Sequence, residues 1–193
     1  MNLFEFTFAL SAVILGLALT QVAASLHKLL LAGRQVRWAL EPVLLTAIVT
    51  LVIVSVWANA WEESDRTLVT LNQILIQIAM YLTLYFGAAS VLPEPAGQEP
   101  LDLYAYYDRT RRLTFGALIT SMTLFKIYFA MLYGFGKAFS GMSLFMLVLA
   151  CGLYGSLIVV RKRWYNIAVL SFALLVYYVQ VSAIALPAVL PPR

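Results

Sequence analysis

Six apolar runs, each long enough to cross a lipid bilayer, occupy almost the whole of this 193-residue chain. They extend over residues 4–32, 40–61, 67–92, 113–136, 138–160 and 164–186. At about 1.5 Å rise per residue, a helix of ~20 residues covers the ~30 Å hydrocarbon core of a bilayer. In that core every backbone N–H and C=O must be bonded within its own segment, so apolar runs of this length resolve as α-helices. Charged residues make up only 11% of the sequence and hydrophobic residues 63%, which excludes a soluble domain. The expected fold is all-α: one polytopic domain over residues 1–193, a bundle of six transmembrane helices.

The first run begins around Glu5 and ends in His27, Lys28, Arg34 and Arg37. A cleaved leader carries its positive charge ahead of its apolar core, so the reversed order here reads as a retained span. The second run opens on Glu41-Pro42, residues suited to a first helical turn, and Trp57 and Trp61 mark its far interface. The acidic link Glu62 to Asp65 leads to the third run, and the prolines between Pro93 and Pro100 prevent that loop from being helical throughout. From Leu101 to Arg112 the sequence LDLYAYYDRTRR predicts a short interfacial helix before the fourth span. Asp102 is its expected cap, and Asp108 precedes Arg112 by four residues, the favourable order for an ion pair. Gly134 and Gly136 predict a tight turn after the fourth run. In the fifth run, Gly152 and Ser156 have the spacing that lets helices approach closely in lipid.

Lysine and arginine are distributed unequally between the two ends of such a bundle. Loops after the first, third and fifth runs hold Lys28, Arg34, Arg37, Arg109, Arg111, Arg112, Arg161, Lys162 and Arg163, whereas the opposite end holds Arg66, Lys137 and Arg193. The positive-inside rule then places both termini outside and three basic loops in the cytoplasm. Their default partner is lipid headgroups, and the scatter of short basic clusters beside apolar runs argues against nucleic acid.

Lys126 belongs to neither end. It falls near the centre of the fourth run, where a cation on a lone helix costs about 2.5–3.5 kcal/mol on insertion scales. The expectation is a lysine facing other helices. Thr120 and Thr123 lie near the same helical face, and Gln73, Gln77, Gln21 and Gln180 on other spans are the candidates to share a polar interior with it, as a path or site for a small, anionic solute. No carboxylate lies deep in any run to meet the lysine. Ordinary interhelical hydrogen bonding is the competing account of these polar residues.

Motifs of catalysis are lacking. His27 is the only histidine and Cys151 the only cysteine, so neither a zinc-protease pair nor a thiolate cluster can be assembled, and no phosphate-binding glycine loop occurs. No enzyme activity, cofactor or metal is expected. The segment RQVRW after LHKLLLAG, together with DLYAYYDRTRR, resembles small six-span bacterial inner-membrane proteins without an assigned function. The resemblance implies a bacterial plasma-membrane location and no activity, substrate or site. Two function classes therefore remain: a small channel or transporter with Lys126 in its path, and a non-transporting membrane subunit, sensor or lipid- and partner-binding protein. The second acts through Arg34, Arg37, Arg109, Arg111, Arg112, Arg161, Lys162 and Arg163. Either class accommodates a homo-oligomer or a membrane or cytoplasmic protein partner.

Overall fold

The computed structural model describes residues 3–61, 70–94 and 100–183. Its α-helices are α1 (Leu3–Ala32), α2 (Leu40–Trp61), α3 (Leu71–Ala89), α4 (Leu103–Tyr133), the single turn α5 (Phe135–Ala138), α6 (Gly141–Val159) and α7 (Arg163–Ser182). All except α5 are long and apolar enough to cross a membrane. The acidic link Glu62 to Asp65, the start of the third run at Thr67, the middle of the proline loop and the end of the sixth run at Leu186 lie outside the described residues.

Each helix turns one stripe inward. On α1 the buried positions are Ser11, Leu15, Ala18, Val22, Ser25 and Leu29, three or four apart in succession, so they lie along one face. On α2 the stripe runs Glu41, Leu45, Ile48, Val49 and Ile53, and on α7 it runs Asn166, Leu170 and Ala173. The opposite faces expose Leu30, Val43, Phe86, Phe145 and Phe172, as suits helices whose solvent is lipid rather than water. Packing follows the order α7, α2, α1, α3, α4, α6, and the ring closes through a sparse contact between α6 and α7.

Three connectors meet at one end. Residues Val36–Arg37 (β1), between α1 and α2, pair in parallel with Leu101–Asp102 (β2), which lead into α4, in register Val36 to Leu101 and Arg37 to Asp102. The link between α6 and α7 joins them through Arg163, whose guanidinium reaches Glu41 at the start of α2. Consequently α2, α4 and α7 all begin at this end and run the same way. It carries most of the basic residues and is called the basic end below.

Leu103–Tyr133 is one unbroken helix of 31 residues, so the expected interfacial helix is instead its first three turns. Asp102 starts it, accepting from the Tyr104 and Ala105 backbone N–H groups at 2.9 and 3.0 Å. No glycine or proline interrupts the next dozen residues, so nothing ends the helix before the apolar run begins. Asp108 pairs with Arg111 rather than Arg112. At the far end α4 stops at Gly134, whose φ of 86° is readily available only to glycine, and Gly136 lies within α5. Gly152 does not mediate helix approach within the chain: it is exposed, and a Cβ there would meet nothing within 4 Å.

Close approach occurs instead at Gly87, where a Cβ would touch Ala117 Cβ at 3.4 Å and Leu118 at 3.6 Å. Gly87→Ala is expected to fold with near-normal stability, because that contact is ordinary van der Waals distance. Gly87→Leu must separate α3 from α4 and is expected to cost about 1–3 kcal/mol, as overpacking does. Thermal unfolding of the two variants in one detergent checks this, and equal unfolding temperatures would contradict it.

Candidate functional site at the basic end

The basic end is organised by a carboxylate that the bundle buries. Glu41 sits in the first turn of α2, where the free N–H groups and helix dipole favour a negative charge. Its side chain is 0% exposed, because the start of α7 lies against it: Arg163 Nε donates to Glu41 Oε1 at 2.8 Å. The Arg163 guanidinium is 56% exposed and stacks 4.8 Å from the centroid of the Tyr104 ring on α4. One side chain thus ties the starts of α2, α4 and α7. One turn further along α4, Tyr107 is buried and lies edge-on to Phe115, which stacks on Tyr154 of α6.

Arg111 makes a second tie. It is 2% exposed, with Nη1 donating to the Val160 carbonyl at 3.3 Å and Nε 3.4 Å from Asp108 Oδ1. Val160 caps α6, whose last carbonyls have no partner within the helix and carry the negative end of its dipole. A buried cation fits that position. Of the eight basic residues singled out in the sequence, Arg111 and Arg163 therefore hold helices together.

The other six, Arg34, Arg37, Arg109, Arg112, Arg161 and Lys162, are exposed, and none has a carboxylate partner among the described residues. Among the described residues, the carboxylates at this end are otherwise engaged: Glu41 with Arg163, Asp108 with Arg111, Asp102 as the α4 cap, and Glu94 with Lys28 at 3.0 Å. The Lys28 hydrogen bond, helped by one from Gln21, holds the Glu94 carboxyl below the usual carboxylate range. The result is an end carrying six cations without an ion pair among the described residues, four on the connectors and two, Arg109 and Arg112, in the first turns of α4.

The proposed path residues do not come together. Lys126 Nζ donates to Ser143 Oγ of α6 at 2.5 Å and lies 5.9 Å from the Phe129 ring centroid. Because α4 ends at Tyr133, Lys126 is seven residues from the helix end, about 10 Å, and Ser143 belongs to the first turn of α6. The ammonium therefore leans away from the basic end toward the opposite interface, the snorkelling geometry. Thr120 and Thr123 are exposed, and their hydroxyls return to the Gly116 and Ile119 carbonyls of the same helix. Gln77 is buried against Tyr81, and Gln73 caps α3 with Thr70 while reaching the Met131 carbonyl. Gln21 bonds Ser25 and Glu94 near the basic end, and Gln180 is exposed.

Sequence reasoning missed Glu41, Tyr107 and Asn166 as members of a polar junction. Glu41 carried the one available signal, an acid just inside an apolar run. No group of three His, Cys, Asp or Glu side chains suited to a metal occurs among the described residues. No protein-family model, curated protein or solved structure matches the chain.

Two outcomes follow from these geometries. Arg163→Ala leaves Glu41 buried without its cation and is expected to lower the unfolding temperature. Glu41→Gln should cost less, since a neutral amide needs no counter-charge; the reverse order in thermal unfolding would contradict the assignment. At the other end, Ser143→Ala strands the Lys126 ammonium and should destabilise by about 1–3 kcal/mol, whereas Lys126→Met removes the need for an acceptor and should be neutral or stabilising. Unfolding temperatures ranked the other way would show that Ser143 is not the lysine's acceptor.

Proposed function

We propose that this integral membrane protein is a non-transporting component that holds anionic phospholipid headgroups on its basic end, on the cytoplasmic side. The observation that carries the reading is the set of six exposed cations, while the described carboxylates at this end are already used within the fold. Basic residues that only set topology need no ordered neighbours, because their effect during insertion depends on charge and side. Here the connectors are bound to one another by an ion pair with a buried carboxylate, a cation–π contact, a buried arginine on a helix end and a two-residue bridge. Exposed cations near a membrane surface each contribute about 1 kcal/mol of attraction to anionic lipid. A bacterial plasma membrane, as the sequence resemblance implies, presents such lipid to its cytoplasmic face.

A transport role draws less support. It needs Lys126 and the spans' glutamines and threonines in one continuous interior, and these side chains lie at several separate places, three of them, Thr120, Thr123 and Gln180, exposed.

Lipid retention tests the proposal. Protein purified from a mixture of phosphatidylglycerol and phosphatidylcholine should retain phosphatidylglycerol in excess, counted by native mass spectrometry. Replacing Arg109, Arg112, Arg161 and Lys162 by glutamine should lower that excess more than tenfold in protein of unchanged topology and unfolding temperature. Unchanged retention would overturn the reading. In proteoliposomes the wild-type protein should pass no chloride or phosphate; a flux abolished by Lys126→Met would instead establish the transport alternative. Specific retention of an acidic protein in place of lipid would likewise displace the headgroup assignment.

A further inference from the structure

Just inside the Glu41–Arg163 pair, three helices each present a buried polar atom without a hydrogen-bond partner among the described residues: Glu41 Oε2 on α2, Tyr107 Oη on α4 and Asn166 Oδ1 on α7. Their residues are 0%, 2% and 1% exposed. The helix turns beside them meet at Arg163. Arg163 touches both Glu41 and the Tyr104 ring. Asn166 follows Arg163 by three residues and Tyr107 follows Tyr104 by three, so both lie about one turn deeper on helices that run in the same direction. Glu41 is also close enough to act electrostatically on Tyr107.

A buried polar atom without a partner is unfavourable anywhere, and more so among helices whose surroundings are lipid. The chemistry of the three atoms defines what would satisfy them. Glu41 Oε2 and Asn166 Oδ1 accept only, whereas the Tyr107 hydroxyl both donates and accepts. A complementary ligand donates to Glu41 and Asn166 and either accepts from or donates to Tyr107. An ammonium ion could donate to all three, but Arg163 already supplies the positive charge beside Glu41, and an anion would face the Glu41 carboxylate. A neutral molecule the size of water meets all three demands, and buried waters typically make about three such bonds.

We infer that the α2–α4–α7 junction is a binding site for one internal water, donating to Glu41 and Asn166 and accepting from Tyr107. The site is independent of the headgroup reading, since it lies behind Arg163 and uses none of the six exposed cations. Through it the three helix starts share a hydrogen-bonded centre as well as an ion pair. The half-exposed Arg163 and the Tyr104 ring separate it from bulk solvent and mark its route of exchange.

Two measurements test the site. In a structure of the wild-type protein in nanodiscs at a resolution that shows ordered water, one peak is expected at about 2.6–3.2 Å from all three atoms. A direct bond between Tyr107 and Glu41, or a bidentate Arg163 covering Oε2, with no such peak would overturn it. The second is a double-mutant cycle on thermal unfolding with Tyr107→Phe and Asn166→Leu. If one water serves both residues, losing either partner loosens it. The double variant should then unfold within a degree or so of the less stable single variant. Additive losses would show that the two groups are independent and would contradict the site; should either variant fail to fold, the wild-type density decides.

Discussion

A carboxylate removed from water on one side and held by a half-exposed guanidinium on the other sets the geometry of this bundle's basic end. Desolvating Glu41 is costly, and the attraction to Arg163 offsets that cost without adding much net stability. Its larger effect is on register. With Glu41 in the first turn of α2 and Arg163 at the first residue of α7, a slide of either helix by one turn would leave a buried charge alone. The Tyr104 contact extends the same constraint to α4, and the β1–β2 bridge extends it to the connector after α1. Packing of α2 against α7 then continues through apolar stripes that need no further polar specification.

The helical spans were legible because their cause is local and extended: a long apolar run in lipid has few alternatives to a helix. Spans one and two keep their expected bounds almost to the residue, and the Asp102 cap is where a short acidic side chain before a helix should be. What the sequence did not show arises from contacts between distant segments. LDLYAYYDRTRR reads as a separate amphipathic piece until Leu103 and Tyr107 are seen buried in the bundle, which fixes those turns as part of α4. That extension moves the reference frame for Lys126. It is near the centre of an apolar run, yet in the longer helix it lies well past the middle, within reach of a hydroxyl at the opposite interface.

Glu41 illustrates the converse. Beside Pro42 it looks like an ordinary first-turn carboxylate, and only the arrival of α7, more than a hundred residues later, turns it into the most buried charge of the basic end. The fold handles its unusual cations in three ways: Arg163 by a carboxylate, Arg111 by the carbonyl end of a helix, and Lys126 by a serine hydroxyl and an aromatic face. None of these leaves a positive group directed into a shared interior. Most of the free positive charge among the described residues lies at the basic end, on the connectors and the first turns of α4, and it is there that the protein has chemistry to offer the membrane.

The most direct measurement is the distance between spin labels replacing the exposed Arg34 and Arg161, on a Cys151→Ser background, in nanodiscs. These positions lie on two connectors more than a hundred residues apart in sequence, and the Glu41–Arg163 pair is one of the ties that hold the connectors together. A single narrow distance distribution, broadened by Arg163→Ala, is the expected result. A broad, multi-component distribution in the protein with Arg163 intact, or one indifferent to its removal, would contradict an ordered basic end built on the Glu41–Arg163 pair.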